Sequence, residues 1–95
     1  MKPLIEVDQT GEGGFRVRVV EGESETSHNV TLKAQDYERL TGKKVTEPEL
    51  VRHAFEFLLA REPKESILRQ FDLMVIARYF GDFESEIKCW SSSQA

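Results

Sequence analysis

Ninety-five residues, 39% of them hydrophobic and 32% charged, describe one ordinary globular domain and exclude collagen-like, disordered and membrane-embedded classes. The net charge of −4 argues against nucleic acid, because neutralisation of phosphates by Lys and Arg supplies most non-specific affinity. Only the segment 28–61 escapes the acidic excess. The single cysteine, Cys89, has no internal partner, so a reducing compartment is the simpler expectation. No apolar run reaches the ~18 residues of a membrane span, and Met1 to Asp8 turns acidic before a signal region can form. A cytoplasmic protein is expected, with one domain over 1–90 and a frayed tail over 91–95 that has nothing to bury.

In chain order, Leu4 to Asp8 alternates as a strand, with Ile5 and Val7 on one face and Glu6 and Asp8 on the other. Three glycines among Gly11 to Gly14 mark a hairpin turn. They lack the Lys-Ser/Thr ending and following helix of a phosphate-cradling loop. Phe15 to Glu21 is the clearest strand, and antiparallel pairing sets Arg16 and Arg18 across from Glu6 and Asp8. Such cross-strand partnership is a simpler role for the two arginines than an anion site. After the acidic connection Gly22 to Thr26, the run Ser27 to Lys33 alternates again, with His28, Val30 and Leu32 on one face.

Ala34 to Thr41 reads as a short helix closed by Gly42. Thr46 then stands as the N-cap of a long helix over 47–62, with Pro48 and Glu49 in its first turn. In that helix Leu50, Val51, Ala54, Phe55, Phe57, Leu58 and Leu59 span roughly 200° of the surface, far more than the ~100° stripe of a one-sided helix. Coverage from two sides is expected, by the chain itself and by a second copy, with Leu50, Val51, Phe55, Leu58 and Leu59 at the dimer interface. Pro63 ends the helix. Lys64 to Phe71 and Leu73 to Phe80 read as further helices, with Asp72 between them, and Asp82 to Ile87 adds a last turn. The fold class is therefore α+β: a three-stranded antiparallel meander followed by three or four helices packed on one face.

Few residues carry a chemical signal. His28, His53 and Cys89 lie far apart and none has a second ligand at metal-binding spacing. His28 shares a strand face with Val30 and Leu32 and suits a hydrogen-bonded, half-buried role. His53 sits between Arg52 and Glu56 and suits an ion pair or an interface. Cys89 has no base or helix N-terminus to lower its pKa. No catalytic residue, metal or cofactor is expected, and the chain reads as not an enzyme.

The order of strand (Asn29 to Lys33), short helix (Ala34 to Thr41), Gly42 turn, Thr46 cap and long helix resembles the ribbon-helix-helix family of small bacterial repressors and antitoxins. In that family two chains pair their strands, the second helices form the dimer core, and outward strand residues enter the DNA major groove. The resemblance implies Asn29, Thr31 and Lys33 as base readers and a phosphate held by the amides near Thr46 and Glu47. The stretch from Phe55 to Phe80 also resembles small conserved bacterial proteins of unassigned function, which implies a compact αβ domain and no activity. The leading expectation is a non-enzymatic cytosolic interaction or oligomerisation module that forms a homodimer; the alternative is a ribbon-helix-helix-like DNA-binding regulator or antitoxin. The two part on whether the strand from Asn29 pairs inside one chain or across a two-fold axis.

Overall fold

The computed structural model describes residues 3–94. Strands β1 (Leu4–Gly11), β2 (Gly14–Glu21) and β3 (Ser24–Thr31) form the expected antiparallel meander. Glu6 lies opposite Arg18 and Asp8 opposite Arg16, and the Arg18 guanidinium bonds the Glu6 carboxylate. At the first hairpin Gly13 has φ +71, and a Cβ there would stand 3.0 Å from the Leu32 carbonyl oxygen. Only glycine fits that approach. Alternation buries Ile5, Phe15, Val17, Val19, His28 and Val30 on one face, while Arg16, Arg18, Ser27 and Asn29 stay exposed on the other.

The sheet has a fourth strand that periodicity did not reveal. β4 (Gln70–Asp72) pairs parallel with β3, giving the order β1-β2-β3-β4. The helix expected over Lys64 to Phe71 is replaced by a single 3-10 turn, Lys64–Ser66, and an extended run into β4. The reason lies on β3. Its second edge offers unpaired backbone groups, and the segment satisfies them: Asn29 N–H donates to the Arg69 carbonyl at 2.7 Å and Leu73 N–H to the Thr31 carbonyl at 2.9 Å. The hydrophobic spacing of Ile67, Leu68 and Phe71 cannot register this, because backbone bonding to a distant strand leaves no local signature.

Helix α1 (Ala34–Thr41) ends as expected at Gly42, whose φ of 60 places its N–H on the Glu38 carbonyl at 2.8 Å. Helix α2 (Glu47–Leu59) starts with a full capping box. The Thr46 hydroxyl accepts from Glu49 N–H at 3.2 Å, and the Glu49 carboxylate accepts from Thr46 N–H at 2.7 Å. Thr46→Ala should therefore cost about 1 kcal/mol in urea denaturation; an unchanged midpoint would remove the cap from the account. The helix stops at Leu59, short of the expected 62, and its last turn tightens as Arg61 N–H reaches the Leu58 carbonyl at 2.9 Å.

Two short stretches complete the layer. Helix α3 (Val75–Tyr79) is shorter than the expected Leu73 to Phe80, and its entry turn is held by the Asp72 carboxylate accepting from Met74 N–H at 3.1 Å. Helix α4 (Phe83–Ser92) is longer than the single turn expected. Ser91 and Ser92, assigned to the frayed tail, belong to it: Ser91 is buried and its hydroxyl donates to the Leu40 carbonyl at 3.3 Å. Ala95 lies outside the described residues.

α2 packs over β1 and β2, and α4 packs on α1 and α2. The second side of the wide apolar arc is thus covered from within. Leu50, Val51, Phe55 and Leu58, expected at an interface between two chains, are buried in the core of one, and Leu59 is half-buried against it. Leu50, Val51 and Phe55 have no accessible surface left for a second contact in this conformation, and Leu58 keeps only a little. Among the described residues no helix is long and apolar enough to cross a membrane.

Candidate functional site

A groove lined mostly by apolar side chains lies where α2 ends and the chain doubles back through β4 into α3. Leu68, Phe71, Val75, Ile76, Tyr79 and Phe80 line a groove of about 380 Å³, floored by Leu58 and Ile67. Glu62 and Ser66 supply its polar lining. Leu68 is 49% exposed and Tyr79 71% exposed, so the wall turns apolar surface towards solvent. The volume falls in the range of sites that take a small ligand or a few side chains of a partner.

The groove exists because the β4 segment is held open rather than coiled into a helix. His28 does much of the holding. It is buried on β3, with Nδ1 2.7 Å from the Leu68 carbonyl and Nε2 2.8 Å from the Thr26 hydroxyl. A carbonyl can only accept, so Nδ1 carries the proton; when the ring is neutral, the form that burial favours, Nε2 accepts from the Thr26 hydroxyl. Burial pushes the His28 pKa below its ordinary 6.5, opposed by the Leu68 bond and reinforced by the nearby charge of Arg69. The ring also packs on Phe55, centroids 5.4 Å apart, and Phe55 in turn supports Phe71 at 6.0 Å.

Two ion-pair groups fix the ends of the same region. Lys64, buried in the 3-10 turn, places Nζ 2.6 Å from Glu65 and 3.2 Å from Glu21 of β2. Those bonds, led by the one to Glu65, raise its pKa. Arg61 lies over the Phe57 ring at 3.5 Å and reaches Asp82 at 3.1 Å and Glu86 at 3.3 Å, tying the end of α2 to α4. Neither anchor was apparent in the sequence, since a lone Lys before Glu65 and an Arg before Glu62 look like ordinary surface charge.

The residues assigned to DNA reading lie elsewhere. Asn29 and Thr31 are exposed on the outer face of β3, which is hydrogen-bonded on both edges, to β2 and to β4. A ribbon formed with another chain would have to displace β4. The Thr31 hydroxyl donates to the Asp72 carboxylate at 2.8 Å. Thr31 and Lys33 line a recess shared with Glu12, Glu47 and Asp72, so three carboxylates accompany one ammonium. At the start of α2, the Thr46 amide expected to meet a phosphate is bonded to Glu49 instead.

Of the remaining candidates, His53 has structural partners. His53 stacks on Trp90 at 4.0 Å and 2°, with Nδ1 3.3 Å from Glu56, which joins α2 to α4. Cys89 is exposed on α4. Among the described residues no group of three or more His, Cys, Asp or Glu is placed to hold a metal ion. Fold and site together define a two-layer α+β domain, helices on one face of a four-stranded sheet, with an apolar groove at the sheet's β4 edge. Comparison with protein-family models, curated proteins and solved structures gives no match to this chain.

Proposed function

We propose that the protein is a non-enzymatic interaction module of the cytoplasm and that the groove between β4, α3 and the end of α2 is its binding surface. The observation that carries this reading is the solvent-open apolar wall of Leu68, Phe71, Val75 and Tyr79 on an otherwise charged, acidic surface. The single cysteine fits a reducing compartment. On this reading the homodimer expected from α2 would form through the groove and half-buried Leu59 rather than through the buried face of the helix. Binding of DNA through Asn29, Thr31 and Lys33 has less behind it, given the doubly bonded β3 and the carboxylates around Lys33.

An apolar naphthalene-sulfonate dye tests the surface. Leu68→Glu with Tyr79→Glu should cut dye binding at least ten-fold while the unfolding midpoint barely moves, since both side chains are exposed. Dye affinity equal to that of the parent chain would refute the groove as the binding surface. The parent chain is expected to leave random duplex DNA unretarded at low salt, where phosphate contacts are strongest; retardation there would favour the regulator reading.

A further inference from the structure

Six carboxylates of the chain are half-buried: Glu6, Asp36, Glu47, Glu62, Asp72 and Glu84. A carboxylate that has lost part of its water needs a cation, a hydrogen-bond donor or a positive dipole end in return. Glu6 has Arg18, and Asp36 and Glu84 share Arg39. Asp72 accepts from the Thr31 hydroxyl and from Met74 N–H. Glu47 lies in the first turn of α2, at the positive end of the helix. Glu62 has none of these. Among the described residues its side chain makes neither an ion pair nor a hydrogen bond. Its N–H bonds the Leu58 carbonyl at 2.8 Å, which sets the residue against the negative end of α2.

The least compensated of these carboxylates is also the one charged side chain in the lining of the apolar groove. Cations near it in sequence do not serve it. Arg61 is held by Asp82 and Glu86, and Lys64 by Glu21 and Glu65. Arg69 and Arg78 are exposed and lie outside the lining. A cation carried by a ligand would meet Glu62 and the negative end of α2 together, and the net charge of −4 attracts it from a distance. The groove also stays open at its mouth, where Leu68 and Tyr79 are exposed. A small-molecule site encloses most of its ligand, whereas an open groove suits a chain laid across it. We propose that the groove receives a segment of a partner protein whose apolar side chains fill it and whose lysine or arginine pairs with Glu62. This rests on the groove reading above and specifies its partner.

The test pans a displayed library of random dodecapeptides on the full chain, after depletion on the variant with Leu68→Glu and Tyr79→Glu. Enriched sequences should set Lys or Arg among apolar residues; acidic or uncharged ones would overturn the inference. The strongest binder, made as a blocked synthetic peptide, should lose at least ten-fold in affinity when norleucine replaces its basic residue. Glu62→Gln should cost the same, and the two changes together little more than either alone. Additive losses would place the cation elsewhere and overturn the pairing. Glu62→Gln should also keep the parent's unfolding midpoint; a lowered one would show that Glu62 is already paired within the fold and overturn the proposal. Displacement of the peptide by an equal concentration of butylamine would assign the groove to free amines. Self-association of the parent that Glu62→Gln abolishes would assign it to a second copy. Either result overturns the proposal. If the library yields nothing while the dye still depends on Leu68 and Tyr79, the inference falls and the groove reading stands; loss of the dye dependence as well removes both.

Discussion

Phe55→Ala is expected to remove about 3–5 kcal/mol of stability, the largest loss from any single truncation of α2. Phe55 is fully buried and touches three parts of the fold at once: the sheet through His28, the β4 segment through Phe71, and the core of its own helix. A domain of this size holds roughly 5–15 kcal/mol in all, so the variant should sit near the edge of folding. Urea denaturation checks it, with the slope held constant so that the midpoint reports stability. A loss below about 1 kcal/mol would mean that the core closes over the gap, and that Phe55 does not join the two layers.

His28 should give the second large effect, in two forms. His28→Ala leaves the Leu68 carbonyl without its donor and opens a cavity beside Phe55, at a combined cost of roughly 2–4 kcal/mol. The pH dependence follows from the lowered pKa. Above the unfolded value near 6.5 both states carry a neutral ring and the fold keeps its full stability. Below it the unfolded chain takes up the proton first, so stability falls with pH until the folded pKa is passed. Burial sets the direction, and the charge of Arg69 adds to it. Comparing parent and His28→Ala between pH 7.5 and 5, the parent should lose stability more steeply; parallel curves would show that His28 does not titrate differently on folding. The same variant should loosen Leu68 and weaken dye binding in the groove.

The meander, the α1 cap at Gly42 and the capping box at Thr46 were legible because each rests on local chemistry. Strict alternation in Phe15 to Glu21 permits one face only, and Thr46 with Glu49 three residues later satisfies two amides within a single turn. His28 was legible for a related reason, since it shares its strand face with Val30. The excess of apolar residues after Ile67 was also visible, and it was read as two further helices. In the fold it divides: Ile67, Ile76 and Phe83 enter the core, while Leu68, Phe71, Val75 and Tyr79 build the groove.

By itself, then, the sequence determined which residues are apolar, where helices are capped and which strands can form hairpins, because those depend on neighbours a few positions away. Only the tertiary structure decided what covers the long helix and what becomes of Lys64 to Asp72. The free edge of β3, the His28 ring and the carboxylate of Glu21 are all distant in sequence, and together they draw that segment out of the helix its spacing suggests. The extended strand leaves Phe71 facing an open groove, and the site follows from that long-range competition for backbone hydrogen bonds.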